Sequence, residues 1–544
     1  MKKGQIYEGI IERVDFPNKG MIYIPEEEKY VTVKNGIPGQ KVRFMINKFK
    51  RGNGEGRLLE VLEKSPLETR EPVCSIFPAC GGCMYQTMSY EEQVKMKEGQ
   101  IHRIMDPVVK GDYIFESVKE SPKEFHYRNK MEFSFGDEYK DGPLSLGLHK
   151  KGSTYDVLTA ADCQLVHRDM NQILSCVLAY FREWNVSYYK KMQHTGYLRH
   201  LLLRRGDTTG EILVNLVTTT QEEHDLTELK EQLLELPLEG KIVGILHILN
   251  DSLSDVVKSD ETRILYGQDF FYEKLLGLQF KITPFSFFQP NSRGAEVLYE
   301  TVREYIGDIE NKTVFDLFSG TGTIGLIAAS QAKEVIGVEL NRDAVKDAII
   351  NAKRNNIQNE QFYNADAGKF MVELAEQNEK VDVVFMDPPR SGSDEAFLSS
   401  VVKLAPKKVV YVSCNPETLA RDLKYLTRHG YQAVECQPCD MFPFTKHVET
   451  IVALHRTDMS GADNMAFSIE NSAFSLAWLY HQGRNYRNYS DGMQKRRKYG
   501  ALVLRDIAVE IQYVPETWCD DAEGKRLRYE TYAKQFMERF KKAA

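Results

Sequence analysis

Between Gln5 and Val61, apolar and polar residues alternate in five short runs that glycines separate. A period of two interrupted by glycine is typical of half-buried strands joined by tight turns. The predicted strands are Gln5–Val14, Met21–Ile24, Tyr30–Val33, Lys41–Lys48 and Arg57–Val61. Five short strands of this kind predict a small OB-like β-barrel over residues 1–63.

The pattern over residues 64–285 predicts a second, β-rich domain. Apolar residues at helical spacing from about Tyr90, and again from Met170 to Trp184, predict two amphipathic helices. The longer runs of strand-forming residues are Tyr127–Phe135, Leu144–Leu148, His200–Arg205, Glu211–Thr218, Ile242–Leu249 and Leu278–Thr283. Because few helices separate these runs, they predict a central antiparallel sheet.

From residue 286 to 456 strands alternate with helices, which predicts a doubly wound, Rossmann-like parallel sheet. Residues 457–544 form a different C-terminal extension, rich in tyrosine and arginine, with a basic run at Lys495–Lys498 and a charged helix near Lys525–Lys542. Its composition fits a solvated addition better than an RNA contact. The sequence therefore predicts a multidomain α/β protein with a small barrel, a central β-rich domain and a C-terminal doubly wound sheet.

The 544-residue chain is 42% hydrophobic and 27% charged, which is typical of a soluble globular protein. Its net charge of -7 argues against non-specific coating of nucleic acid, because such binding needs many basic contacts to phosphate. No apolar run reaches the roughly 20 residues that span a bilayer, so no membrane insertion is expected. Residues Met1–Tyr7 lack an apolar signal core, which predicts a cytoplasmic protein with reduced thiols.

The predicted barrel carries a cluster of basic residues with two aromatic residues among them. They are Lys41, Arg43, Phe44, Lys48, Phe49, Lys50, Arg51 and Arg57. Basic side chains that contact phosphates and rings that stack on bases are typical of single-strand RNA binding. A solvated hairpin explains the same charges equally well.

Three cysteines lie in one short loop with the pattern Cys74-x5-Cys80-Gly-Gly-Cys83, whose glycines let the backbone fold tightly around a shared centre. Cys163 is the best candidate for a fourth ligand, because Cys176 falls within a predicted helix and is interpreted as a small buried apolar residue. Three close cysteines and one distant one favour a [4Fe-4S] cluster over a zinc site. The cysteines interpreted as structural are Cys436, Cys439 and Cys519.

A glycine turn after the first strand of the C-terminal sheet indicates a nucleotide-like ligand. Strand Val314–Leu317 leads to Gly320-Thr321-Gly322, and Gly325 completes a Gly-x-Gly-x-x-Gly pattern that lets a ligand approach the backbone. The next strand contains Glu339, whose carboxylate can accept hydrogen bonds from both ribose hydroxyls. NAD and S-adenosylmethionine both fit these features.

Two further carboxylates help to distinguish S-adenosylmethionine from NAD as the predicted ligand. Asp366 follows the third strand, where it fits either a contact to the adenine amine or the N-cap of a helix. Asp387 ends the fourth strand, at the edge where open α/β sheets bind ligands, and Pro388-Pro389 stiffens the following loop. An acidic residue followed by two prolines is typical of S-adenosylmethionine-dependent methyltransferases.

A lone cysteine, Cys414, ends the fifth strand at the same edge, where its thiolate is placed to attack a substrate that lies over the cofactor's methyl group. Carbon 5 of uracil is too weak a nucleophile to take a methyl group directly, and thiolate addition to carbon 6 makes it enolate-like. The reaction then requires a base for the carbon 5 proton. Glu449, on the last predicted strand Val448–His455, is the candidate, because partial burial raises a carboxyl pKa toward a useful value.

The motifs and their order resemble the RNA uracil-C5 methyltransferase family, specifically its iron-sulfur branch with an N-terminal TRAM domain. The resemblance covers nearly everything from Gly4 to His455. The matching segments are Cys74–Cys83 with Cys163, Phe288-Gln289-Pro290-Asn291, Asp316–Gly320, Asp387-Pro388-Pro389-Arg390, Ser413–Pro416 and His447-Val448-Glu449-Thr450. Thr323 and Asp366 stand where some relatives carry asparagine, and the residues after Thr457 have no recognised counterpart.

The resemblance implies a role for each matching residue. Cys414 would be the nucleophile and Glu449 the base, and Arg128 would bind a phosphate or the uracil carbonyl. Phe287 and Phe288 fit stacking on an extruded uracil, with at least one of them in the core. The residues that would contact S-adenosylmethionine are Gln289, Phe318, Glu339, Asp366 and Asp387.

The predicted reaction is methyl transfer to carbon 5 of a specific uridine in 23S ribosomal RNA by a monomeric enzyme with a structural cluster. Transfer RNA is the alternative substrate, because relatives with the same catalytic residues modify it. A dinucleotide-binding iron-sulfur redox protein would also explain the glycines and the cysteine loop. That third interpretation leaves Asp387-Pro388-Pro389 and the Cys414 turn unexplained.

Overall fold

The computed structural model describes residues 1–50, 53–109, 113–254, 256–377 and 381–457. The chain divides into two compact units, Met1–His455 and Arg456–Ala544. The predictions for the C-terminal extension, including Cys519, lie outside the described residues. Within those residues, no helix is both long enough and apolar enough to cross a membrane.

The N-terminal residues form a closed five-stranded barrel. Its strands are β1 (Ile6–Asp15), β2 (Lys19–Ile24), β3 (Lys29–Lys34), β4 (Lys41–Lys50) and β5 (Asn53–Glu63). They close in the order β1-β2-β3-β5-β4, with β3 and β5 parallel. Inward side chains such as Ile11, Ile22 and Val33 are fully buried, which confirms the predicted barrel.

The basic cluster of the barrel is engaged by neighbouring carboxylates. Arg43 binds Glu8 at 2.8 Å and Glu60 at 2.7 Å. Phe44 is fully buried in the barrel core, so the predicted stacking role is wrong for this residue. Arg51 lies outside the described residues. The described part of this edge therefore fits a solvated hairpin better than an RNA-binding edge.

Helix α1 (Tyr90–Met105) connects the barrel to the rest of the chain. Gln100 Nε2 donates to Val14 O in the barrel at 3.0 Å. Phe16, beyond the end of β1, packs in the same buried cluster as residues of α1 and of the C-terminal sheet. Farther along the chain, β6 (Ile114–Phe115) has only two residues and was not predicted.

A seven-stranded sheet forms the core of the central region. Its strands are β7 (Lys130–Asp137), β8 (Leu144–His149), β9 (Val157–Thr159), β10 (Leu198–Arg205), β11 (Glu211–Thr218), β12 (Lys241–Leu249) and β13 (Glu261–Gly267). Their order is β13-β12-β11-β10-β7-β8-β9, and helices α2 (Arg168–Glu183) and α3 (Thr227–Leu234) accompany them. Strands β11 and β12 pair in parallel, so the expectation of a purely antiparallel sheet is wrong.

The predicted strand at Leu278–Thr283 does not belong to the central sheet. It is β15 (Leu278–Ile282), which pairs only with β14 (Phe271–Leu275) in a separate two-stranded hairpin. Both strands bury apolar side chains against the following C-terminal sheet, in a cluster that includes Phe280 and Ile282. The apolar runs predicted the strand correctly but did not show where it pairs.

The C-terminal sheet carries helices between most of its strands, as predicted. Its elements are α4 (Ser292–Ile306), β16 (Thr313–Leu317), α5 (Thr323–Ala329), β17 (Glu334–Glu339), α6 (Arg342–Arg354), β18 (Glu360–Asn364), α7 (Ala367–Gln377), β19 (Val383–Met386), α8 (Glu395–Leu404), β20 (Lys408–Ser413), α9 (Pro416–Leu426), β21 (Tyr431–Cys439) and β22 (Glu449–Arg456). The strand order is β18-β17-β16-β19-β20-β22-β21-β6.

The first five strands of this order are parallel, and β22 runs antiparallel to β20. The chain order reverses at β16, which has β17 on one side and β19 on the other. In open α/β sheets such a reversal creates a crevice at the carboxyl ends of the strands, where ligands bind.

Candidate active site

Several predicted site residues lie at the carboxyl ends of neighbouring strands. They are Phe318 after β16, Glu339 at the end of β17, Asp366 after β18, Asp387 after β19 and Cys414 after β20. Because these strands are parallel, all of these residues lie at one edge of the sheet, around the β16 reversal.

The glycine turn between β16 and α5 is held by Glu339. Gly320 N donates to Glu339 Oε2 at 3.0 Å, and Asn341 N donates to Oε1 at 2.7 Å. Gly322 has a φ of +80°, and a Cβ there would lie 2.9 Å from the ring of Phe362. Glycine is therefore required both by the backbone conformation and by packing.

Three of the predicted ligand contacts have well-defined surroundings. Phe318 adopts a φ of +68°, and its ring lies 5.5 Å from that of Phe397. Gln289 is buried. Asp366 is exposed, and its Oδ1 accepts a hydrogen bond from Lys369 N at 3.0 Å. That bond is the N-cap contact of the alternative interpretation, and the adenine contact of Asp366 stays a prediction.

Cys414 directly follows β20, and Glu449 is the first residue of the neighbouring strand β22. In the antiparallel pair of β20 and β22, Ser413 lies opposite Thr450. Cys414 follows Ser413 and Glu449 precedes Thr450, so continuation of this register would bring the two residues opposite each other at the ligand edge. Asn415 caps α9 directly afterwards, which ends the strand sharply at the cysteine.

The acid-base properties of these two residues are coupled. Burial, followed by the charges of Glu449 and Asp387, raises the pKa of the Cys414 thiol to about 11, and Arg390 opposes this shift. Burial and the charge of Asp387 raise the pKa of Glu449 to about 8. Burial raises the pKa of Asp387 to about 7. The three groups therefore share one electrostatic environment.

Two buried carboxyl groups beneath the glycine turn were not predicted as site residues. Asp316 Oδ2 accepts a hydrogen bond from Gly325 N at 2.8 Å, and burial raises the pKa of this carboxyl to about 7. Burial, and then the charge of Asp316, raises the pKa of Glu360 to about 9. A Cβ at Gly325 would clash with the Glu360 carboxyl, so the last glycine of the pattern serves packing. Periodicity gives no signal for these groups, because acidic residues in strands usually face solvent.

The two adjacent phenylalanines have opposite environments. Phe288 is 4% exposed and lies in the core, as expected for at least one of the pair. Phe287 is 62% exposed, and a Cβ at Gly320 would lie 3.9 Å from its ring. An exposed ring therefore lies beside the glycine turn. Arg128 Nε is buried and has no hydrogen-bond partner among the described residues.

The four cysteines of the predicted metal centre lie near one another. Cys80, Cys83 and Cys163 are buried and Cys74 is half-buried. Burial raises the pKa of Cys83 to about 12, and the charges of the other three cysteines add to the shift. The described residues nevertheless contain no group of three or more ligand side chains arranged to hold a metal ion. The metal centre itself therefore stays a prediction.

Comparison with known proteins identifies the class of protein. The model of the tRNA (uracil-5-)-methyltransferase family matches residues 89–457. An uncharacterized RNA methyltransferase from Clostridium tetani is 47% identical over 458 residues, covering 84% of this chain and 99% of that protein. One from Caldanaerobacter subterraneus is 44% identical over 457 residues, covering 84% of this chain and all of that protein (100%).

A solved structure shares the fold over most of the chain. The Pyrococcus abyssi tRNA (uracil-54, C5)-methyltransferase, in complex with S-adenosyl-L-homocysteine, has a TM-score of 0.65 and 27% identity, covering 82% of this chain and 100% of that one. The site and these likenesses define an S-adenosylmethionine-dependent RNA methyltransferase. The chain belongs to the tRNA (uracil-5-)-methyltransferase family, and its activity is methylation of uracil at carbon 5 in RNA.

Proposed function

We propose that the enzyme methylates carbon 5 of a specific uridine in 23S ribosomal RNA through a covalent bond between Cys414 and carbon 6 of the base. The observation that supports the covalent route is the pairing of Ser413 with Thr450, because Cys414 and Glu449 are the next residues toward the ligand edge and the charge of Glu449 acts on the thiol. The nucleophilic thiol and the carboxylate that acts as general base could then both reach one uracil ring.

The Cys414 thiolate adds to carbon 6, and carbon 5 attacks the methyl group of S-adenosylmethionine, which leaves as S-adenosylhomocysteine. Glu449 takes the proton from carbon 5, and the bond between sulfur and carbon 6 breaks to return the thiolate. Burial raises the pKa of Cys414, and Arg390 opposes this rise and so favours the thiolate.

Cationic side chains around His447 support RNA as the bound polymer. Burial, and then the charges of Arg390, Lys446, Lys97 and Arg128, lowers the pKa of His447 to about 4. Arg128 and Arg390 are therefore close enough to this imidazole for their charges to act on it, which makes them candidates for contacts to phosphates of the target nucleotide. The exposed Phe287 ring, beside the glycine turn, supplies a stacking face for an extruded base.

The preference for ribosomal RNA comes from the four-cysteine loop and the N-terminal barrel, through the resemblance to the iron-sulfur branch. Transfer RNA is the second candidate, and the observation that favours it is the likeness to the Pyrococcus abyssi enzyme. Mapping 5-methyluridine in both RNAs from a deletion strain tests the choice. Loss of one ribosomal position supports the proposal, and loss confined to transfer RNA contradicts it.

We also propose that Cys74, Cys80, Cys83 and Cys163 hold a structural [4Fe-4S] cluster. The donor set of four thiols fits it, and Gly82 N donates to Cys80 Sγ at 3.4 Å, a bond of the kind that tunes cluster sulfurs.

The cluster would cross-link the cysteine loop to Cys163. Anaerobically purified protein should show visible thiolate-to-iron absorption, and Cys80→Ser should lose it. Cys176→Ser is the matched control, because Cys176 is half-buried in α2 and should leave the absorption unchanged. Colourless protein with stoichiometric zinc would overturn the assignment.

Binding of S-adenosylmethionine is expected to tighten as pH rises from 6 to 8. The pKa values of Asp387 and Glu449 are raised to about 7 and about 8, so both carboxyls are largely protonated at the lower pH. A sulfonium cation favours their ionised forms, and we expect an affinity gain on the order of tenfold over this range. S-adenosylhomocysteine lacks that charge and should show a smaller gain. Calorimetric titration of both ligands measures this, and equal gains would contradict the prediction.

A further inference from the structure

Residues 440–448 connect β21 to β22, and the segment 440–445 is the first part of this connection, shortly before Glu449. Three elements bind its backbone carbonyls and hold it against the rest of the molecule. The bonds are Asn291 Nδ2 to Met441 O at 2.9 Å, Lys97 Nζ to Phe442 O at 3.2 Å and Tyr127 Oη to Pro443 O at 3.1 Å. Three consecutive carbonyls of the chain that leads to β22 therefore each accept a hydrogen bond from a side chain elsewhere in the molecule.

Phe444 is the strained residue of this segment. Its φ is +65°, a left-handed conformation that a bulky side chain rarely adopts, and it is fully buried. Phe444 N donates to Gln93 Oε1 at 2.8 Å. Met84 N and Tyr85 N donate to Phe444 O at 2.7 Å and 3.2 Å. Strain of this kind persists only where the surroundings over-determine the backbone, and it concentrates at functional sites.

The ring of Phe444 also contacts neighbouring side chains. It stacks on Phe125 with ring centroids 4.5 Å apart, and the Arg70 guanidinium lies 5.9 Å from its centroid. Met84 and Tyr85, which bind the Phe444 carbonyl, follow Cys83 directly in the chain. The cysteine loop therefore contacts the segment that leads to the catalytic base.

We propose that Phe444 is a positioning residue for catalysis: its backbone, locked by Gln93 and the cysteine loop, holds the Glu449 carboxyl beside Cys414. This inference rests on the proposed function, because it assigns the step that depends on Glu449. It gives the cysteine loop a part in removing the carbon 5 proton, in addition to any part in folding. His447 N, hydrogen-bonded to Thr445 Oγ1 at 3.2 Å, continues the ordered path toward Glu449.

The test replaces Gln93 with methionine, which keeps the length of the side chain and removes the acceptor for Phe444 N. Gln100→Met is the matched control. Both glutamines lie on α1 and are buried, and each donates to a backbone carbonyl. Gln93 Nε2 binds Met88 O at 3.2 Å, whereas Gln100 Nε2 binds Val14 O in the barrel. Gln93 also accepts a hydrogen bond from Phe444 N in the segment 440–445, whereas the bond of Gln100 goes to the barrel.

We expect Gln93→Met to reduce turnover on ordinary RNA by at least about tenfold, because a misplacement of about 1 Å costs on the order of 100-fold. The rate of covalent adduct formation with 5-fluorouridine-substituted RNA should stay within about twofold of wild type. Carbon 5 then carries fluorine in place of a proton, so the adduct forms without Glu449. The acidic limb of the pH-rate profile should also move to lower pH, because a displaced carboxyl is better solvated.

Equal losses of turnover and of adduct formation in Gln93→Met would overturn the proposal, as would a loss no larger than that in Gln100→Met. Phe444→Leu keeps a buried apolar side chain without the stack on Phe125, and it should reproduce the same split if Gln93→Met does not fold. A wild-type protein that forms no adduct at all would instead refute the covalent route. Failure of the proposed function can therefore be distinguished from failure of the positioning role of Phe444.

Discussion

Cys414→Ala should lower methyl transfer into RNA by at least about 10⁴-fold, because the residues of a covalent mechanism act as a unit and loss of the nucleophile removes the route. The substitution removes one half-buried sulfur at the end of β20 and leaves the Asn415 cap of α9 in place. Affinity for S-adenosylmethionine should change little. Transfer of a labelled methyl group into RNA measures the rate, and calorimetry measures the affinity.

The same variant should form no covalent complex with 5-fluorouridine-substituted RNA, whereas the wild type should trap it in the presence of S-adenosylmethionine. Cys436→Ala is a suitable control, because Cys436 is a buried cysteine of the same sheet. We expect the control to lose some stability from the small cavity and to keep its turnover. Cys414→Ala with near-normal turnover would remove the basis of the covalent mechanism.

The sequence predicts the part of the site that local pattern determines. Each parallel strand is a short apolar run, and the residue after it is polar, aromatic or cysteine, so Phe318, Asp387 and Cys414 can be placed at one edge from the chain alone. The glycine turn can also be predicted from the sequence. The structure gives the reason for the glycine: Gly322 has a φ of +80°, and the ring of Phe362 approaches it closely.

The features that were missed depend on contacts between distant residues. The parallel pairing of β11 with β12, and the addition of two-residue β6 beside β21, have no local signal. Phe44 lies on the inner face of its strand and is buried in the barrel core, although its basic neighbours in the sequence suggest an exposed ring. Periodicity identifies a face only after the register is known, and the register is fixed by the whole barrel.

The cysteine loop and the catalytic base are also linked by contacts that no spacing predicts. Met84 N and Phe444 O lie 2.7 Å apart although hundreds of residues separate them in the chain. The motif His447-Val448-Glu449-Thr450 contains the proposed base, but the segment before it is held by α1, the cysteine loop and the N-cap of α4. The sequence therefore suggests candidates for the reacting groups, but it does not show which distant residues hold them in place.

Glu449→Gln should reduce turnover by about 10²- to 10⁴-fold, the usual contribution of a positioned general base. The amide keeps the shape of the side chain and its place at the start of β22, but it cannot take the carbon 5 proton. Addition and methyl transfer should still occur, so a methylated RNA should accumulate on Cys414. Denaturing electrophoresis with ordinary RNA and labelled S-adenosylmethionine should show this complex in Glu449→Gln and much less of it in the wild type.

The charge of Glu449 allows a second and independent check. Because that charge adds to burial in raising the pKa of the Cys414 thiol to about 11, its removal should lower the thiol pKa and speed addition above about pH 8, where the wild-type carboxyl is ionised. Glu449 itself has a pKa raised to about 8 and acts as a base only when ionised, so wild-type turnover at limiting S-adenosylmethionine should rise with pH through that value. Alkylation of Cys414 by iodoacetamide across pH measures the thiol directly. A variant that alkylates no faster than the wild type and accumulates no complex would show that Glu449 neither faces the thiol nor removes the proton.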